Sequence, residues 1–147
     1  MMKVKCCFVF LFACFCLSFI GCGDNVGLRG KVTFSDTHEP LTIGEIHFST
    51  PTFLARAAIR PDGTYVAGSE KVGNGLPPGT YAVTIMYAEE APPENQQPEI
   101  GRNGLPKPIQ PKSLIHPKYK RKETSGLTVT VDQSGGVFDF EVDRAPH

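Results

Sequence analysis

Apolar and polar residues alternate along most of this chain with a period of two. From Leu28 to Phe34, the residues Leu28, Val32 and Phe34 share one parity, interrupted by Gly30. Ile43 to Phe48 puts Ile46 and Phe48 on one side and His47 on the solvent side. Phe53 to Ile59 sets Phe53, Ala55, Ala57 and Ile59 against Arg56 and Arg60. Thr64 to Ala67 is a fourth segment. Tyr81 to Tyr87 is a longer fifth, with Tyr81, Val83, Ile85 and Tyr87 in phase. Leu127 to Val131 and Val137 to Val142 complete the set; in the last, Phe138, Phe140 and Val142 are expected to face inward. Successive side chains of a strand point to opposite faces, so this alternation predicts strands buried on one side.

Turn chemistry separates the segments. Ser35 to Pro40 is rich in turn formers, and Pro51 ends the second strand. In Pro61, Asp62 and Gly63 the proline presets φ and the glycine accepts a positive φ. Pro78 and Gly79 make a corner that feeds the fifth strand. Ser134 to Gly136 predicts a hairpin joining the last two strands. The pattern lapses between Ala88 and Tyr119, where there are seven prolines and few apolar residues. That composition predicts a polyproline-like loop, and a loop of this length inside a compact domain is either functional or disordered. Seven short strands with no predicted helix argue for an all-β sandwich.

The first 22 residues follow another rule. Lys3 and Lys5 precede an apolar run from Phe8 to Ile20, and all five cysteines lie at or before Cys22. A charged start and a short apolar core are the plan of a secretory leader. The run is shorter than the roughly 20 residues a membrane-spanning helix needs. Gly21 and Cys22 at its end resemble the lipobox of bacterial lipoproteins, although Phe19 stands where leucine is usual and Ile20 where a small residue is usual. The resemblance implies a signal peptide over 1–21, a lipid on the sulfur of Cys22, and a tether over 22–27. The domain then spans 28–143 and includes the proline-rich loop 88–119. It also implies a membrane-anchored protein of the cell envelope, facing the periplasm or the exterior.

Charge and cysteine use narrow the function. The chain carries 15 basic and 15 acidic residues. Without a basic stripe interleaved with aromatics, nothing points to nucleic acid. The absence of cysteine beyond Cys22 leaves the domain without disulfides, a thiol nucleophile, or cysteine-held zinc or iron–sulfur sites. There is no tryptophan, the strongest platform for a sugar ring.

Three stretches together resemble the carboxypeptidase regulatory-like domain. They are Gly30 to Phe34 with Glu39 to Leu41, Arg60 to Tyr65, and Leu76 to Ile85. The tail, from Ile115 to Tyr119 through Thr124 to Val131 and Phe138 to Phe140, is similar to the version found in small bacterial lipoproteins. The resemblance implies a seven-stranded transthyretin-like (prealbumin-like, Ig-like) sandwich that is not catalytic, with no cofactor and no catalytic residue carried over. Its members serve as accessory modules on peptidases or as stand-alone envelope domains. The expected role is therefore a lipid-anchored binding or structural module, its partners the membrane and an envelope protein or polysaccharide. An accessory subunit of an envelope peptidase or transporter is the alternative.

Related sandwiches host intradiol dioxygenases and 5-hydroxyisourate hydrolases, so an enzyme is a further alternative. The histidines His38, His47, His116 and His147 lie far apart in sequence, with no His-x-His pair. The hydrolase's terminal Tyr-Arg-Gly-Ser is missing from a chain ending Asp143 to His147. No Gly-x-Ser-x-Gly elbow is present, and Ser69, Ser113, Ser125 and Ser134 read as turn formers. Glu89, Glu90 and Glu94 lack the regular spacing of a calcium loop. No metal site is therefore expected. The candidate contact residues are Tyr87 and Tyr119, which flank the proline-rich segment, and the basic cluster Lys118, Lys120, Arg121 and Lys122, which suits anionic headgroups or an acidic polymer.

Overall fold

The computed structural model describes residues 25–68, 74–95 and 97–146. The leader expected over 1–21, Cys22, Ser69 and His147 lie outside the described residues. The elements in chain order are β1 (Leu28–Phe34), β2 (Glu45–Ser49), β3 (Leu54–Ala58), β4 (Thr64–Val66), β5 (Gly79–Met86), β6 (Glu89–Glu90), β7 (Lys112–Ser113), a 3₁₀ turn (Pro117–Lys120), α1 (Lys122–Ser125), β8 (Leu127–Val131), β9 (Gly136–Val137) and β10 (Phe140–Val142). One sheet has the order β10-β1-β4, with β9 also paired to β1; a second has the order β3-β2-β5-β8; β6 and β7 form a small ribbon.

The all-β character follows from the alternation. In β1, Leu28, Gly30, Val32 and Phe34 are buried and the residues between them are not. In β2 and β3, Ile46, Phe48, Ala55 and Ala57 are buried. The two larger sheets face one another across this core. Phe48 of one sheet meets Tyr65 and Phe140 of the other, with ring centroids 5.7 and 6.4 Å away. Aromatic contacts of this kind add to the burial of large apolar faces.

Two close approaches fix how the layers sit. A side chain at Gly30 would overlap the carbonyl oxygen of Phe138; its absence lets the Tyr65 hydroxyl donate to that same oxygen at 2.6 Å. At the start of β5, the Tyr81 hydroxyl donates to the carbonyl of Pro77 at 2.6 Å. The bond pins the turn behind the strand, much as a tyrosine corner does in β-sandwiches.

Several expectations need correction. Ser134 to Gly136 is not a hairpin: β8 pairs with β5 in one sheet, while β9 and β10 run parallel to β1 in the other. Asp132 folds the turn by accepting from the amide of Ser134 at 2.8 Å. Gly136 then donates to the carbonyl of Gly27 at 3.0 Å, which carries the chain across to the other layer. The last predicted strand is broken into β9 and β10 at Phe138 and Asp139. There the Asp139 carboxylate, rather than a backbone carbonyl, accepts the amide of Lys31 at 2.8 Å. The described residues hold ten strands rather than seven.

The stretch 88–119 is also not featureless. Glu89 pairs with Ser113 and Glu90 with Lys112, so β6 and β7 close the proline-rich excursion at its base. Further out, Ile100 bridges Pro106, and Gly101 donates to the carbonyl of Leu105 at 2.8 Å, making a small projecting turn. After the ribbon, the chain pairs with the C-terminal tail through Ile115 and Arg144 and then forms the 3₁₀ turn and α1. Gly126, at φ 68°, ends α1 in the left-handed conformation that favours glycine.

The molecule has two poles. At one, Val26 and Leu76 exchange both backbone hydrogen bonds, and the turn after β8 closes on Gly27. At the other lie the end of β1 at Phe34, the end of β5 at Met86, the β6–β7 ribbon, and the residues after β10. At about 3.3 Å per residue, the seven residues of β1 separate the poles by roughly 20 Å.

Candidate functional site

The sequence-predicted surface residues do not form one surface. Tyr119 is a correction: it lies in the core at 4% exposure. Its hydroxyl donates to Asp143 Oδ2 and accepts from the Asp143 amide, both at 3.1 Å. Lys118 donates to the same carboxylate at 2.6 Å, and the Ser35 hydroxyl to its other oxygen at 2.7 Å. Asp143 is therefore a polar hub tying the 3₁₀ turn to the ends of β1 and β10. The bonds from Lys118, then Ser35 and Tyr119, pull its carboxyl down to about 2. The bond to Asp143 pushes the Lys118 ammonium up.

The basic run is likewise divided. Lys120 pairs with Glu89 of β6 at 2.7 Å, leaving Arg121 and Lys122 exposed. Tyr87 stands clear of the surface at 65% exposure. It takes a left-handed φ of 55°, so it swings out of the β5 alternation and Ala88 is buried in its place. A positive φ at a bulky residue is uncommon and has a conformational cost.

The three described histidines go to three different partners. His38 lies 3.3 Å from Glu141; His47, expected on the solvent side, is largely covered on the outer face of β2, 3.2 Å from Glu45, with its Nε2 buried and without a hydrogen bond among the described residues. His116 accepts from the amide of Lys118 at the start of the 3₁₀ turn. Among the described residues no three His, Cys, Asp or Glu side chains converge as a metal site would require.

What the fold does assemble is a cleft of about 670 Å³ at the pole away from Val26. Its apolar walls are Phe34, Pro40, Ile43, Ala91 and Leu114, and its charged groups are Glu39, Glu89, Glu90 and Arg144. Arg144 organises one wall. Its guanidinium stacks on the Phe34 ring at 3.8 Å from the centroid. It donates to Asp36 at 3.0 Å, to Glu39 at 2.8 Å and to the Thr37 hydroxyl at 3.0 Å. A planar, fork-shaped donor suits this mixture of aromatic stacking and several acceptors. Desolvation pushes the Asp36 carboxyl up, but the hydrogen bond and charge of Arg144 outweigh it and hold the group below its ordinary value.

Sequence reasoning missed the cleft. The alternation puts Ile43 in a strand, yet β2 begins at Glu45 and Ile43 is left 47% exposed. Arg144 belongs to a tail with no periodic signal. Only the acidic pair Glu89 and Glu90 was marked, and neither its ribbon pairing nor its neighbours are local in sequence. Comparison of the chain with protein-family models, with curated proteins and with solved structures finds no match.

Proposed function

We propose that the chain is a lipid-anchored, non-enzymatic binding module of a bacterial envelope. In this reading it is a carboxypeptidase regulatory-like, transthyretin-like sandwich held at Cys22, with the distal cleft as its contact site. One observation carries the reading: the first described residues lie at one pole, with Val26 bonded to Leu76, and the cleft opens at the other. A lipid on Cys22, four residues before Val26, would hold the first pole at the membrane and turn the cleft outward. An open depression with apolar walls and a few placed polar groups is the usual form of a binding site. The separate partners of His38, His47 and His116 favour binding over catalysis.

The test has two parts. Intact mass and membrane fractionation of wild type against Cys22→Ala should give an acylated N-terminus at Cys22 and a variant that loses the lipid. Hydrogen exchange of the protein in its native membranes, compared with the purified protein, should show added protection at Thr42, Ile43, Glu90 and Ala91. A wild type without lipid would overturn the anchor, and no protection at these four residues would overturn the contact site.

A further inference from the structure

The charge of the cleft selects its occupant. Resting on the reading of the cleft as a contact site, we propose that it receives a basic, extended polypeptide segment from a partner protein, with lysine or arginine next to apolar residues. Arg144, the one basic residue in its lining, is already engaged by Asp36, Glu39, Thr37 and the face of Phe34. Lys120, beyond the lining, is engaged by Glu89. Among the described residues that line the cleft, no cation is left free for an anionic ligand; Lys112, in register with Glu90 across the ribbon, lies outside the lining. The acidic groups are less fully used. Glu39 contacts Arg144 and Thr37 through one oxygen, Oε2, and Glu90 makes no side-chain hydrogen bond or ion pair among the described residues. Counting Asp36, Lys112 and Lys120 with the lining, four carboxylates stand against three cations, so the cleft keeps a small negative excess.

Ile43 is an apolar surface left open beside these carboxylates, with Pro40 and Leu114 nearby. Lysine and arginine bury an apolar stem while keeping the charged head at a polar rim, which is the combination this cleft offers. Its volume exceeds what one side chain fills and it is open to solvent, so it has room for more than one residue of a polypeptide segment. Complementary charge of this kind sets specificity and encounter rate more than raw affinity, and it weakens with salt.

The experiment uses a fluorescent peptide alternating lysine and valine, a matched peptide alternating glutamate and valine, and the purified domain, read by fluorescence anisotropy at low and high salt. The lysine peptide is expected to bind, to weaken with salt and to displace poorly when challenged with spermine, which carries charge without side-chain stems. Glu90→Gln should weaken it by about 1.5- to fivefold, the range of one exposed ion pair. Ile43→Ser should weaken it at low and high salt alike, and unchanged melting of both variants would show that they fold. Equal binding of the two peptides, displacement by spermine as effective as by unlabelled peptide, or indifference to Glu90→Gln would overturn the proposal. Membrane-dependent protection of the cleft without lysine-peptide binding would sink this charge assignment and leave the contact site standing. Loss of both would remove the two together.

Discussion

At the scale of single residues, Asp143 shows how a polar group can organise an end of a β fold. It accepts from Lys118, Tyr119 and Ser35, which come from separate parts of the chain. Its carboxyl is more acidic folded than unfolded, about 2 against an ordinary value near 3.9. The stabilisation is thus fully present above the unfolded value and is lost as pH falls through the folded one. Lys118 works the other way: its raised value gives stability that is present below the ordinary lysine range and lost as pH rises through the folded value. Urea midpoints followed downward from pH 5 should fall less steeply for Asp143→Asn than for wild type; equal slopes would show that the hub contributes nothing. Tyr119→Phe removes a buried hydroxyl with two partners and should cost about 1–2 kcal/mol in the same measurement. Its burial was not legible in the sequence. Tyr119 is one aromatic among lysines and arginine, and its partner is 24 residues away. By contrast, the inward positions of Ile46, Phe48, Ala55, Ala57, Val83 and Ile85 were legible, because burial within a strand follows from parity alone.

At the scale of elements, local pattern located the strands and failed to pair them. β1 and β8 have the boundaries their alternation predicts, Leu28–Phe34 and Leu127–Val131. The link from β8 to β9 differs from the expected hairpin because a glycine-rich turn suits either a hairpin or a crossing between layers. The choice was made by a distant partner, the carbonyl of Gly27. The same limit applies to β6 and β7, two residues each, too short to show a period. Their ribbon explains which part of the proline-rich stretch is dispensable. Removing Pro92 to Pro108 leaves Ala91 and Ile109 to Pro111 as a short connection across the ribbon, and takes away no residue of the buried core or of the cleft lining. The shortened protein should melt within a few degrees of wild type and still bind the lysine peptide. Loss of binding with the fold intact would move the contact site to the projecting turn that carries Ile100 and Leu105, exposed by 66% and 62%. Extending the deletion through Tyr119 should instead unfold the domain, because Ile115 and Tyr119 are part of the core.

At the scale of the whole molecule, direction matters as much as shape. The first described residues and the cleft lie in parts of the chain that no local signal connects, and the fold separates them along the length of β1. That relation can be measured directly, since the sequence contains no cysteine beyond Cys22, and removal of residues 1–21 with a lipid on that sulfur would leave no competing thiol. A fluorophore placed by Gln133→Cys would sit in the turn near Gly27, and one placed by Ile43→Cys would sit at the cleft; both native side chains are exposed. In vesicles holding the full lipidated protein and a headgroup quencher, the label at position 133 should be quenched strongly and the label at 43 weakly, because roughly 20 Å of strand lies between the poles. Equal quenching would mean that the tether lets the domain lie on its side, and the cleft would then compete with the bilayer surface for its occupant. Stronger quenching at 43 would place the acidic pole against the membrane. Adding anionic lipid separates these outcomes further: a carboxylate-rich pole should be pushed away from a negative surface, so quenching at 43 should fall as the anionic fraction rises.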